Sequence, residues 1–217
     1  VQLEESHMAN RVIGGNDADV ALSPVGVEGN ARLTGATGAA LFVLLAAEGI
    51  TILRIHDLIT AHVFVGTAIA AFAVTKLGSV GYRFVRYYVG DPGYVRKGAP
   101  HPVLRVDGPI VVVTTIAVVG TGLAGLAAGR SARWLMDLHK ASFILWFVAM
   151  TVHVVGHVLD TPALAIADYR TTPGARPVSG TWLRRLATVA TLVTGIVLGV
   201  VVINSGWMST WTHVVGR

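Results

Sequence analysis

WLMDLHKASFILWFVAMTVHVVGHVLD, residues 134–160, is the stretch whose reading decides the fold. It is almost wholly apolar and long enough to cross a bilayer, yet it carries His139, His153 and His157. An ionisable side chain in hydrocarbon is costly, so each of these histidines is a functional candidate. His139 and His153 are 14 residues apart, close to four helical turns. Their rings therefore share nearly one face, about 21 Å apart along the axis. In a hydrocarbon core about 30 Å thick, that assigns one imidazole to each leaflet.

The rest of the chain fits the same environment. Of its 217 residues 53% are hydrophobic and 13% charged, against about 25% charged in ordinary soluble domains. Apolar runs of spanning length recur, without the period-2 alternation of an outer-membrane barrel. The expected fold class is all-α: a polytopic membrane helical bundle of five transmembrane helices with a four-helix core. There is no cysteine, which excludes disulfides, thiolate metal sites and iron–sulfur clusters. The net charge of +5 reports membrane topology and not a nucleic-acid partner.

The spans are expected at Thr34–Leu53, Leu58–Leu77, Pro109–Ala128, Ala132–Leu159 and Trp182–Ile203. Residues 1–33 read as an expression remnant (VQLEESHM, with His7) followed by a polar cytoplasmic tail; 34–204 as the membrane domain; 205–217 as an outer-side tail. The turn Arg54–Asp57 is so short that helices one and two must be antiparallel, with Asp57 placed to cap helix two. Tyr82–Val89 extends helix two out of the membrane, and a basic, proline-broken loop follows. Ser131 is the expected cap of helix four, and 160–180 a loop. Twelve Lys and Arg fall on the N-terminal side of the bilayer and five on the other. The bias puts the N-terminus in the cytoplasm and the C-terminus outside, in the plasma membrane.

One helix intervenes between helices two and four, so these two run parallel. His62 lies near the start of helix two, and His139 near the start of helix four, at similar depth in the outer leaflet. Facing imidazoles across a bundle interior are what a six-coordinate haem b requires. Gly66, one turn beyond His62, leaves room for a porphyrin face. Adding 14 residues to His62 gives Lys76 where adding 14 to His139 gives His153. The inner pair is thus a lysine and a histidine.

With His62, His139 and His153, and LHKASFILWF and HVVGH as local context, the chain resembles the transmembrane di-haem cytochromes b over about residues 56–160. That resemblance implies two haems passing electrons across the membrane, to or from a quinone or another reductant and a redox partner protein. It transfers fully only to His62 and His139; Lys76 departs from the pattern. Three readings of the inner site follow. His153 ligates a second haem with Lys76 or another group; or His157, five turns from His139, participates; or there is no inner haem, and His153 and His157 hold a metal, relay protons or bond to neighbours.

Bland readings stand beside these. His62 and His139 are otherwise two interhelical hydrogen-bonding histidines, His56 an interfacial turn residue, and His101 a loop residue; His213 needs no role. Glu48, in the outer half of helix one, is expected to be protonated or paired at that depth; it serves proton exchange at a quinol site or pairs with Arg54 or a helix-two hydroxyl. Segment 82–97 meets anionic headgroups, clamps propionates or docks a donor. Arg130 and Arg133 are candidate propionate partners outside. A different class is a transporter or channel whose polar path is lined by Glu48, Lys76, His153 and His157; no internal repeat or broken apolar helix supports it. A third is a structural subunit without cofactor. There is no phosphate loop, dinucleotide fingerprint or nucleophile elbow, so any electrons must arrive from outside the chain.

Overall fold

A computed structural model describes residues 2–170 and 178–212, with side chains over 26–170 and 178–211. Among the described residues every regular element is helical. Eight α-helices follow in order: α1 Gln2–Leu53, α2 Ile55–Tyr88, α3 Pro92–Lys97, α4 Pro102–Ala128, α5 Arg133–His157, α6 Thr161–Ile166, α7 Thr181–Ile203 and α8 Gly206–Thr212. Five of them are long and apolar enough to cross a membrane, α1 through its part Gly26–Leu53. Even α7, with 23 residues, is about 35 Å long, enough for the hydrocarbon core. The outward faces carry large exposed apolar side chains, including Val43, Ile144, Val193 and Val201. Such a surface is covered by lipid, so the chain is a multi-pass membrane protein.

The five expected spans are all present, with shifted ends. α1 starts before Thr34, because Asn30 and Arg32 are tied to neighbouring segments. Asn30 Nδ2 donates to the Ser79 carbonyl (3.0 Å), and Thr34 and Ser79 share a hydroxyl contact. α2 runs on to Tyr88, as the Tyr82–Val89 extension anticipates. α4 starts at Pro102, so Pro109 lies inside it; Pro102 meets the same first-turn preference about two turns earlier. The 160–180 segment contains α6, and the C-terminal tail contains α8. Asp57 sits inside the first turn of α2 and pairs with Arg54 at 3.3 Å instead of capping. Ser131 ends a 3-10 turn, Gly129–Ser131; the residue before α5 is Ala132, which makes no side-chain cap.

Packing divides the bundle into two groups. α2 lies between α1 and α7, while α4 pairs with α5; α2 and α5 do not pack against each other along their length. Without a hydrophobic drive inside lipid, close approach depends on small residues. Gly195 and Gly199 of α7, four apart, let that backbone reach α2: a Cβ on them would lie 3.1 Å from Ala68 Cα and 2.7 Å from Phe64 Cδ2. The Thr75 and Thr191 hydroxyls meet beside them at 2.9 Å. In the second group, a Cβ on Gly125 would strike Met136 Cε, and one on Gly156 would stand 2.6 Å from Leu104 Cδ2. Trp146 of α5 donates its indole N–H to Thr115 of α4 (3.0 Å).

An ion-pair latch closes the first group at the end that carries α6. Asp168, just beyond α6, accepts two hydrogen bonds from Arg184 of α7 (2.6 and 2.8 Å) and one from Arg32 of α1 (3.1 Å). The Arg184 fork, with Arg32 behind it, holds the Asp168 carboxyl below the usual carboxylate range. α3 lies against the same end. Asp91 caps it by accepting from Gly93 N and Tyr94 N, and buried Tyr94 donates to the Gly26 carbonyl (3.3 Å).

Candidate functional site

Two of the candidate rings come from the two packing groups, His62 from α2 and His139 from α5. Their centroids are 6.3 Å apart and the planes cross at 74°. Each ring is fixed through Nδ1. His139 Nδ1 is 2.9 Å from the Val118 carbonyl, one turn from the Gly122 that makes space for it. A carbonyl only accepts, so Nδ1 carries the hydrogen and Nε2 of the neutral ring keeps its lone pair. His62 Nδ1 lies 3.0 Å from Glu48 Oε1 on α1. Donation to that carboxylate leaves His62 in the same tautomer. Neither Nε2 has a hydrogen-bond partner among the described residues.

Those facts test whether a haem suits the residues present. A metal–imidazole bond is about 2 Å, and a ring nitrogen stands about 1.1 Å from its ring centre, so two rings on opposite sides of one metal have centroids about 6 Å apart. The observed separation matches. Ligating histidines also characteristically donate their second N–H to a carbonyl or carboxylate, as both do here. The same two bonds run between helices, α2 to α1 and α5 to α4, as the plainer reading of two interhelical hydrogen-bonding histidines also expects; the rings are not bonded to each other through Nδ1.

The site is shaped by small residues. A Cβ on Gly122 would lie 3.0 Å from His139 Cε1, so the α4 glycine tract makes room for this ring as well as for close helix packing. A Cβ on Gly66 would meet Glu48 Oε1 at 3.2 Å. Gly66 therefore clears space for the Glu48 carboxylate, a neighbour that the expectation of a porphyrin face did not include. Thr51 completes the corner. Its hydroxyl donates to the Glu48 carbonyl (2.7 Å) and stands 3.1 Å from Glu48 Oε2 and 3.2 Å from His62 Nδ1. Of the partners weighed for Glu48, Arg54 is excluded because it faces solvent with Asp57.

The opposite end of the bundle, around His153, differs. His153 Nδ1 is 3.2 Å from Asp107 of α4, a buried carboxyl. The His157 ring lies 4.8 Å from that of His153. Lys76 extends towards α1, where Nζ donates to the Thr34 carbonyl (3.1 Å), and a Cβ on Gly38 would come within 2.8 Å of it. So Lys76, His153, His157 and Asp107 gather at one level, but no second imidazole opposes His153 from α2. Among the described residues no group of three or more His, Asp or Glu side chains is arranged to hold a metal ion.

Asp107 escaped the sequence reading because a helix started at Pro109 leaves it in a loop. An acidic residue one turn into a membrane helix, in register with His153, was the available signal. Arg130 and Arg133 are exposed and contact neither ring. His101 precedes α4 without a side-chain cap. His213 lies outside the described residues, as does Arg176, one of the twelve Lys and Arg counted on the N-terminal side. In comparison with known proteins, no family model matches the chain, and neither a curated protein nor a solved structure matches it.

Proposed function

We propose that the chain is a membrane cytochrome b, with one haem b held between His62 and His139. The observation that carries this reading is the pair of rings 6.3 Å apart, each tied back through Nδ1. A haem with two imidazole ligands has no open coordination position and supplies one-electron transfer. The chain's own residues do the rest. His62 and His139 offer Nε2 lone pairs from two separate packing groups. Glu48 and the Val118 carbonyl fix the tautomers and ring orientations. Gly66 and Gly122 admit these groups, and the apolar helices exclude water.

The inner cluster does not supply a second bis-imidazole site, since Lys76 is committed to the Thr34 carbonyl. The proposal is for one haem. Electrons come from a quinone pool or another small reductant and leave to a redox partner protein, the N-terminus being cytoplasmic in the plasma membrane. Segment 82–97, rich in Arg and Tyr, rests against anionic lipid headgroups.

The test is direct. Purified protein is expected to show a Soret band and about one porphyrin per chain in a haemochrome assay, and His62→Ala or His139→Ala to abolish it. A colourless wild type ends the proposal. A transporter is the second reading, favoured by the polar Lys76, Asp107, His153 and His157 cluster within the spans. Colourless protein catalysing ion flux in liposomes would replace the first reading with it.

A further inference from the structure

The two candidate ligands differ in what their Nδ1 faces: a neutral carbonyl for His139 and a carboxylate for His62. We infer that Glu48 is a positioning residue that acts through His62 to lower the reduction potential of the iron. The inference rests on the single-haem reading above.

A carboxylate accepts a stronger hydrogen bond than a carbonyl does. It draws the Nδ1 hydrogen outwards and moves negative charge onto the ring. A ring enriched in charge is a better donor, and it favours the more positive, oxidised metal. Hydrogen bonding to an axial ligand is one of the levers by which a protein sets haem potential.

The surroundings keep this carboxylate in place. The Glu48 side chain is 13% exposed. It forms no ion pair with a Lys or Arg among the described residues, so its charge is not spent on another cation. Thr51 stands against both Oε2 and the ring nitrogen. Gly66 leaves the space that Oε1 occupies. Three positions on two helices thus aim one charge at one ring nitrogen. Its counterpart on α5 receives none.

The experiment is a spectroelectrochemical titration of the full chain in detergent. Glu48→Gln keeps the size and hydrogen-bonding ability of the side chain and removes its charge. It is expected to retain the six-coordinate spectrum and to raise the reduced-to-oxidised ratio at fixed ambient potential about tenfold, a rise of about 59 mV for one electron. Gly66→Ala keeps the carboxylate but displaces it, and is expected to shift the midpoint the same way by less. Glu28→Gln, about 30 Å from Glu48 along α1, is the control and should leave it unchanged. Wild-type midpoints in both Glu48→Gln and Gly66→Ala, with the Soret band intact, overturn the inference and leave the haem reading standing. Absence of the band in wild type overturns the haem reading itself. If Glu48→Gln binds no porphyrin, Gly66→Ala decides: a raised midpoint supports the inference and an unmoved one refutes it.

Discussion

Asp168→Asn tests the latch that closes the first packing group. Asp168 and Arg184 are nearly buried, with side chains 9% and 11% exposed, and Arg32 is 20% exposed. Removing one partner of a buried pair costs about 3–5 kcal/mol, because the other charge is left without compensation. Two features place this case at the lower end. Arg32 keeps Glu28 (3.0 Å), and Arg184 keeps the Ser179 carbonyl and the Thr181 hydroxyl. The expected loss is therefore about 3 kcal/mol. It should be read as a shift in the unfolding free energy of the detergent-solubilised protein, by denaturant titration. pH gives an independent check. The carboxyl is held low in the folded protein, so its contribution is full above the unfolded value of about 3.9 and disappears as pH falls through the lower folded value. Wild-type and Asp168→Asn stabilities should thus differ by a constant amount from neutral pH to about pH 4 and converge below it. A difference under about 0.5 kcal/mol at neutral pH, the range of a surface pair, would refute the reasoning.

Other outcomes follow from the site and the packing. His153→Ala should leave the porphyrin-to-protein ratio unchanged, whereas His139→Ala brings it to near zero; a ratio falling from two to one in His153→Ala would restore the inner haem. Gly122→Val pushes into His139 Cε1, 3.0 Å from where the first added carbon would lie, and should weaken porphyrin retention on dilution without unfolding the chain. Gly199→Leu overpacks the α2–α7 contact at Phe64 and should destabilise by about 1–3 kcal/mol in the same denaturant titration.

How much of this was legible in the sequence depends on the kind of information needed. The five spans were readable because bilayer thickness imposes a minimum apolar length. Their ends were not, since a glycine-rich or proline-bearing flank continues as helix wherever a tertiary partner holds it. Asn30 and Arg32 do this for α1, and Leu104, beside Gly156, and Asp107, bonded to His153, do it for α4. The matching depth of His62 and His139 followed from spacing alone. Their separation did not, because it depends on where two whole packing groups come to rest. Glu48 had the right depth, but its partner depends on the rotation of α1 about its own axis, which a nearly uniform apolar sequence does not encode. Asp168 gave no signal, because its two arginine partners come from spans 136 and 16 residues away in the chain.

The arrangement of the two groups has a consequence for biosynthesis. α2 is enclosed by α1 and α7, whereas α4 and α5 are adjacent in the chain and pack chiefly against each other. The α4–α5 hairpin can close as soon as it leaves the ribosome. The other group stays open until α7 emerges, some 93 residues after α2 ends. Both histidine-bearing helices are therefore in the bilayer before the glycines of α7 can seat on Ala68 and Phe64. Truncation after α5 should leave a chain that inserts all its helices yet holds α2 on one side only, exposed to proteolysis at the α2–α3 connection.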